Sequence, residues 1–188
     1  MAVADTFAAI RSLFKPDRVE SCTNATLHIE EKQKSAKMKL AKIASVGASA
    51  FSIKYDLCAF PGQTLFAKHP SIHRACDAIA FCEVEGTPFI LCFELKSCEP
   101  TRHEVTEQFR NAHCFLEYLD VLLENYCQGK SIKSWERSYF VFHDQGAMPL
   151  AKRTSKDDPD NTLPEKALFI STHTGATTYL RKLLGKPV

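Results

Sequence analysis

The stretch from Asp77 to Lys96, DAIAFCEVEGTPFILCFELK, decides the fold of this chain. Residues 77–84 and 88–96 are two mainly apolar runs on either side of the pair Glu85-Gly86. Apolar residues stand on both faces of each run, which is typical of central rather than edge strands. The stretch therefore predicts a β-hairpin in the middle of a sheet.

The register of this hairpin places two carboxylates side by side. With a two-residue turn at 85–86, or a four-residue loop at 84–87, Asp77 lies directly opposite Glu94. A three-residue loop would shift the register by one and put the two acids on opposite faces. In the first two registers the Cβ atoms are about 4.5–5.5 Å apart, and Lys96 projects from the same face as Glu94.

Two neighbouring carboxylates and a lysine predict metal-dependent chemistry on phosphate. Unpartnered carboxylates repel each other, and a hard divalent cation such as Mg²⁺ removes that cost while keeping several waters. One of those waters can act as a nucleophile, and the lysine adds positive charge where a phosphate develops negative charge. The alternative for Asp77, Glu94 and Lys96 is a salt-bridged cluster at a strand end.

Elements before the hairpin are predicted from apolar spacing and composition. Apolar residues at helical spacing predict a helix over residues 5–14. Residues 24–29 fit either a strand or the start of a helix, and the Lys, Ala, Met and Glu content of residues 30–44 favours a helix there. Alternating apolar and polar residues predict a strand over 51–57.

Elements after the hairpin begin with a capping box, Thr101 with Glu104, which opens a predicted helix to about residue 127 with a stop at Gly129. Further predicted elements are a strand at 138–143, a strand at 167–172 and a helix at 176–184. The sequence thus predicts a mixed α/β fold, with a central mixed β-sheet flanked by helices. One domain is expected over residues 1–188, with its core at about 51–143, a flexible loop at 144–166 and a C-terminal strand and helix at 167–188.

The hairpin motif resembles that of the PD-(D/E)xK nuclease superfamily, which has the restriction-endonuclease-like fold. The matching residues are Asp77 at the start of one strand and Glu94-Leu95-Lys96 at the end of the next, followed by a helix. The resemblance covers residues 51–143 and implies an αβββαβ core. Cys76 stands where the family name has Pro.

The resemblance also implies roles for individual residues. Asp77, Glu94 and the backbone carbonyl of Leu95 would bind Mg²⁺, for which Mn²⁺ could substitute, and Lys96 would position or activate the attacking water. Many members carry a polar residue on the following helix, where Gln108 stands here, to orient a phosphate or the lysine. One branch has Tyr four residues after that Gln, and this chain has Ala112 instead. Members often add a carboxylate from the first helix, and Glu20 is the candidate.

The function implied is a metal-dependent phosphodiesterase, either an endonuclease or an exonuclease, in restriction, repair, phage defence or a mobile element. DNA is favoured over RNA because the superfamily mostly cuts DNA. Since no appended recognition domain is evident, sequence-specific cutting would need a homodimer, a partner subunit or the loops around residues 61 and 156. The alternative function is a catalytically inactive nucleic-acid- or protein-binding module on the same fold.

Composition narrows the class of protein. The formal net charge of +2 is too small for general binding to polyanions, so phosphate contacts would need local patches such as the lysines between Lys32 and Lys42. That run is equally compatible with a solvated helix face. No apolar run approaches the roughly 20 residues that cross a bilayer, so no membrane association is expected. The eight cysteines include no CxxC pair, and several lie in apolar runs, which favours a reducing, cytoplasmic environment.

Two further arrangements suggest a zinc- or cysteine-based hydrolase instead. His69, His73 and Cys76 have a spacing that could bind zinc, although an ordinary loop explains them as well. Cys114 follows His113, but adjacent helix residues point in different directions, which favours a buried cysteine over a thiol nucleophile.

Overall fold

The computed structural model describes residues 3–31, 34–55, 74–144 and 161–186. Over these residues the chain forms three helices and nine strands in a mixed α/β fold, which confirms the predicted fold class. The helices are α1 (Val3–Leu13), α2 (Arg102–Tyr126) and α3 (Leu180–Leu183). The strands are β1 (Val19–Ser21), β2 (Thr26–Glu30), β3 (Leu40–Ala44), β4 (Phe51–Lys54), β5 (Ala78–Val84), β6 (Thr87–Lys96), β7 (Glu136–Asp144), β8 (Leu168–Thr172) and β9 (Thr177–Tyr179).

Six of the strands form a central mixed sheet in the order β1-β4-β5-β6-β7-β8. The pairs from β1 to β6 are antiparallel, whereas β6, β7 and β8 run parallel. Helix α2 is the crossover that parallel pairing of β6 and β7 requires. The order α1, β4, β5, β6, α2, β7 reproduces the predicted αβββαβ core, with β1, β2 and β3 inserted after α1.

The central sheet has a core on each face. On one face, which we call the helix face, Ile79, Cys92 and Val141 pack with buried residues of α1 and α2. On the opposite face, alternate residues such as Ala80 and Leu91 pack against β2, β3 and α3. A second, three-stranded sheet in the order β2-β3-β9 covers this opposite face. Because successive residues of a strand point to opposite faces, each residue of the central sheet can be assigned to one core.

The hairpin between β5 and β6 has the two-residue turn at Glu85 and Gly86, since Val84 pairs with Thr87. Both turn residues have positive φ, 54° and 80°, as a type I′ turn requires. The last regular pair is Ala78 with Phe93, and the next position along the ladder sets Asp77 opposite Glu94. The register favoured from sequence is therefore confirmed.

The predicted helix over residues 30–44 is wrong. The chain instead completes strand β2 and forms β3, which pairs antiparallel with β2. Leu27, Ile29, Ala41 and Ile43 are all buried, and this alternation buries one face of the pair against the central sheet. Packing thus overrides the helix propensity of the lysines and alanines. Residues 24–29, left open from sequence, lead into and form β2.

The predicted helix over residues 176–184 is only half correct. Its first part is strand β9, which pairs parallel with β3, and the helix is confined to Leu180–Leu183. The capping box that opens α2 is confirmed: Glu104 N donates to Thr101 Oγ1 at 3.4 Å, and Thr101 N donates to Glu104 Oε2 at 3.0 Å. Two predicted segments lie partly outside the described residues. They are the strand predicted over 51–57, at residues 56–57, and the expected loop, at residues 145–160. Within the described ranges, no helix combines the length and the apolar character that crossing a membrane would need.

Candidate active site

The two acids predicted from the hairpin meet where β5 begins and β6 ends. Asp77 immediately precedes β5, and Glu94 lies two residues before the end of β6. Glu94 shares the helix face with Cys92, and Asp77 stands opposite it in the register. Both residues are buried, with 7% and 2% of their surface exposed. Charged groups so far from solvent need partners, so the contacts of each carboxylate decide what the pair can do.

Asp77 is held by both neighbouring strands. Its Oδ2 accepts a hydrogen bond from Leu95 N at 2.5 Å. Its backbone carbonyl accepts a bond from Tyr55 N at 3.2 Å, which continues the pairing of β4 with β5. Leu95 itself is buried on the face opposite the acids, while its backbone lies between Glu94 and Lys96. The strands thus fix the Asp77 carboxylate beside the Glu-Leu-Lys segment.

The two oxygens of Glu94 have unequal surroundings. Oε1 lies 2.5 Å from Lys96 Nζ and accepts a hydrogen bond from Gln108 Nε2 at 2.8 Å. Oε2 is buried and has no hydrogen-bond partner. A buried acceptor left unpaired costs about 1–3 kcal/mol, and more when it is charged. Within the described residues, both partners of this carboxylate are therefore on the side of Oε1.

Burial raises the pKa of Glu94 above its ordinary value. The charge of Lys96 and the hydrogen bonds from Lys96 and Gln108 act in the opposite direction, and the negative charge of Glu31 adds to the rise. The direction means that the charged form of Glu94 is penalised where it stands. A cation beside Oε2 would remove that penalty.

Helix α2 positions the segment that carries Asp77. Gln108 Nε2, besides bonding Glu94, donates to the carbonyl of Ala75 at 3.0 Å. Three residues further along the helix, Asn111 Nδ2 donates to the carbonyl of Arg74 at 2.6 Å. Gln108 thus contacts Glu94 on β6 and links it to the segment that precedes β5 and carries Asp77. Asn111 was not predicted from sequence, although its spacing from Gln108 places it on the same side of the helix.

Glu20 is not brought to the site. It lies on β1 rather than on the first helix, and its register partner Ser52 pairs with Ala80, a residue of the opposite face. Its Oε2 forms an ion pair with Lys54 Nζ at 3.1 Å. Glu20 is two strands and a whole sheet thickness away from the acids, so this geometry does not support it as a metal ligand.

The described residues contain two neighbouring buried acids but no zinc cluster. They contain no group of three or more His, Cys, Asp and Glu side chains that could hold a metal. His69 and His73 of the suggested zinc set lie outside the described residues, and Cys76 is buried with its Sγ directed to the carbonyl of Ala78 at 3.6 Å. Mg²⁺ is commonly bound by only one or two carboxylates and waters, so Asp77 and Glu94 with its unpaired oxygen fit that cation.

The pair of His113 and Cys114 does not form a thiol site. Cys114 is exposed, whereas Nδ1 of His113 contacts Tyr139 Oη at 3.3 Å and Arg137 Nη1 at 3.1 Å. In the described part of the chain the two side chains are not hydrogen-bonded to each other, and the thiol is not buried as the sequence favoured. The seven cysteines in the described part of the chain are free thiols.

Part of the lysine run lies near the end of β6. Lys34, Lys37 and Lys39 stand between β2 and β3, on the elements that cover the opposite face of the central sheet, and Lys37 N donates to Ser97 Oγ at 2.8 Å, one residue beyond Lys96. Met38 is fully buried and anchors this connection in the core of the opposite face. Lys34, Lys37 and Lys39 have exposed side chains. Exposed lysines thus lie on a segment that is hydrogen-bonded to the chain just beyond Lys96.

The chain matches no protein-family model, no curated protein and no solved structure.

Proposed function

We propose that this chain is a metal-dependent nuclease that hydrolyses phosphodiester bonds, with DNA as the more favoured substrate. The observation that carries the proposal is the buried, unpaired Oε2 of Glu94, on the carboxylate that faces Asp77 across the hairpin. The resemblance of Asp77 and Glu94-Leu95-Lys96 to the PD-(D/E)xK motif supports the same function.

A salt bridge that only stabilises the fold explains the site less well. Such a bridge would satisfy both oxygens of a buried carboxylate, because an unpaired one is destabilising. Here Lys96 and Gln108 both bind Oε1 and leave Oε2 without a partner. The arrangement instead resembles a ligand held ready on one side for an ion.

Asp77 and Glu94, with the carbonyl of Leu95, would hold Mg²⁺. When bound, that ion supplies an activated water and neutralises charge on the phosphate. Lys96, whose side chain is 30% exposed, reaches the edge of the site and would place its ammonium against a phosphate oxygen or the attacking water. Gln108 would keep Glu94 and the Asp77 segment in register through its two hydrogen bonds.

The exposed lysines of the β2–β3 connection would contact the nucleic-acid backbone. Lys34, Lys37 and Lys39 lie on the segment that is hydrogen-bonded to Ser97, next to Lys96. Contacts of lysine with phosphate are independent of sequence and sensitive to salt. They would therefore bring any phosphodiester chain to the site without selecting a base sequence.

The direct test is cleavage of a closed circular plasmid and of end-labelled linear DNA and RNA, with Mg²⁺ or Mn²⁺ and with chelator. We expect metal-dependent cleavage that Asp77→Asn and Lys96→Met abolish. Glu83→Gln is the matched control, because Glu83 is an exposed acid on β5. Nicking of the plasmid would identify an endonuclease, and shortening only from labelled ends an exonuclease.

Cleavage that persists at wild-type rate in Asp77→Asn and Lys96→Met would remove the hairpin acids from the mechanism. Binding of DNA without cleavage under every metal condition would favour the inactive binding module. Partner subunits or a homodimer are tested by the mass of the protein in solution, alone and with DNA.

A further inference from the structure

Buried polar atoms without partners are concentrated at one edge of the central sheet. Within the described residues, the side-chain atoms in this condition are Ser52 Oγ, Glu94 Oε2, His143 Nδ1, Asn161 Nδ2 and Ser171 Oγ. Those of Glu94, His143 and Ser171 lie near the carboxyl ends of β6, β7 and β8. Unpaired polar atoms destabilise a fold, so three of them in one place point to a ligand.

The register aligns a row of three side chains beside Glu94. Lys96 on β6 pairs with His143 on β7, which pairs with Ser171 on β8. Neighbouring residues on these strands, Val141 and Phe169, pack in the core of the helix face. Since side chains alternate along a strand, Lys96, His143 and Ser171 all project from that face, one strand spacing of about 4.8 Å apart. This is the face on which Glu94 lies.

The row consists of hydrogen-bond donors. Lys96 has only donors, and the hydroxyl of Ser171 and one ring nitrogen of His143 can each donate. His143 is 5% exposed, and burial lowers its pKa, an effect that the negative charges of Glu99 and Asp144 oppose. A neutral imidazole and a hydroxyl beside an ammonium suit an anion, whereas Lys96 would repel a second cation.

We propose that Lys96, His143 and Ser171 form a phosphate-binding subsite, which holds a backbone phosphate of the nucleic acid beside the pair Asp77 and Glu94. The inference rests on the proposed nuclease function, because it makes the row part of the same substrate site. The subsite lies at the carboxyl ends of the parallel strands β6, β7 and β8, which is where ligands of open α/β sheets bind. The phosphate would supply the acceptors that His143 Nδ1 and Ser171 Oγ lack.

The test uses the full chain without metal, so that it is independent of catalysis. The probe is a 12-nucleotide single-stranded DNA, titrated while the ring nitrogen signals of His143 are followed by NMR. We expect these signals to move on binding. The DNA affinity should fall about tenfold in His143→Leu and in Ser171→Ala, the scale of losing a hydrogen bond to a charged group. His143→Asn, which keeps a polar group at the δ position, should retain most of the affinity.

Thermal unfolding of each variant shows whether it is folded. If His143→Leu does not fold, the DNA affinity of Ser171→Ala and the His143 signals of the wild-type protein still test the subsite. The subsite would be overturned, and the nuclease left standing, by the following result. The protein cleaves DNA with metal, but the His143 signals do not move and the variants keep the wild-type KM and DNA affinity. A different outcome would overturn the nuclease and support the subsite. In it the wild-type protein cuts no nucleic acid, yet its His143 signals move on binding and the variants bind DNA more weakly.

Discussion

Asp120 and Glu94 are both buried acids, yet their surroundings differ in kind. Oδ1 of Asp120, on α2, accepts hydrogen bonds from Ser131 Oγ and Ile132 N, both at 2.7 Å, and so fixes the chain that leaves the helix. Glu94 likewise has both of its partners on one oxygen, Oε1. Its other oxygen is buried and unpaired, whereas Oδ2 of Asp120 is not among the buried unpaired atoms of the described residues. The state of the second oxygen, rather than the number of partners, distinguishes the two acids.

A similar contrast separates the two ends of β7. Near the start of β7, Arg137 contacts both Glu117, at 2.7 Å, and His113, at 3.1 Å. Near the ends of β7 and β8, His143 and Ser171 each have an unpaired buried atom. Within the described residues, the charged groups near the start of β7 are therefore paired, whereas buried atoms without partners lie near the ends of β7 and β8.

The largest expected effect is that of Glu94→Gln on cleavage. We expect cleavage to fall by roughly 10³-fold, the scale of removing a charge-stabilising group from an active site. Steady-state cleavage of the plasmid measures this. Glu83→Gln, on the preceding strand, should leave the rate unchanged, and equal losses in both variants would contradict a specific role for Glu94.

The same variant should stabilise the metal-free protein, by on the order of 1 kcal/mol at neutral pH, because it removes a penalised buried charge. The folded-state pKa of Glu94 is raised above its unfolded-state value of about 4.3. The contribution of Glu94 to the free energy of unfolding is therefore fully present below the unfolded-state pKa, and it is lost as pH rises through the folded-state pKa. Denaturant unfolding across this range should show the advantage of Glu94→Gln growing with pH. An advantage that shrinks with pH would reverse the sign we assign.

Loss of the Gln108 amide should have the next largest effect. Gln108→Leu removes the bonds to Glu94 Oε1 and to the carbonyl of Ala75. We expect activity or metal affinity to fall about 10–100-fold, as is common when a group that orients a metal ligand is removed. Mn²⁺ titration and cleavage rates measure the two quantities. Gln128→Leu, just beyond the end of α2, is the control and should change neither.

Asp120→Ala should change stability and not catalysis. It leaves Ser131 Oγ and Ile132 N without their acceptor, so we expect a loss of about 1–3 kcal/mol in the free energy of unfolding. Chemical denaturation measures this loss, and the cleavage rate of the folded variant should match the wild type. A catalytic defect in the fully folded variant would break the division between the two acids.

The smallest effect concerns the lysine-bearing connection. Changing Lys34, Lys37 and Lys39 together to Ala should weaken DNA binding and reduce the slope of log affinity against log salt, by about 0.9 for each phosphate that a lysine no longer neutralises. Fluorescence anisotropy at several salt concentrations gives the slope. Lys133→Ala is the control, because this exposed lysine precedes β7 at the other end of that strand. An unchanged slope in the triple variant would place DNA elsewhere.

The hairpin and its acids could be predicted from sequence because they depend on local information. A short turn fixes the register, and register fixes the face of every side chain. Even there, Glu85 is an unusual residue for a positive φ, and its side chain is paired with Arg181 and Lys186, which are distant in sequence. Sequence alone does not reveal that support, which is why the two-residue turn could not be chosen over the longer loop.

The rest of the site depends on contacts that sequence does not encode locally. His143 was visible only as the end of a strand, because the register of parallel strands joined by a long helix cannot be read from a turn. The helix predicted over 30–44 failed because burial of Ala41 and Ile43 against the central sheet outweighs helix propensity. Glu20 was misplaced for a related reason, since its face depends on how β1 pairs with β4.

The most direct measurement is a crystal structure of the protein with Mn²⁺, in which anomalous scattering locates the ion. We predict one ion that contacts both Asp77 and Glu94, the latter through Oε2. We also predict that the peak disappears in Asp77→Asn crystals grown under the same conditions. An ion bound elsewhere, or one that contacts only one of the two acids, would contradict the shared metal site.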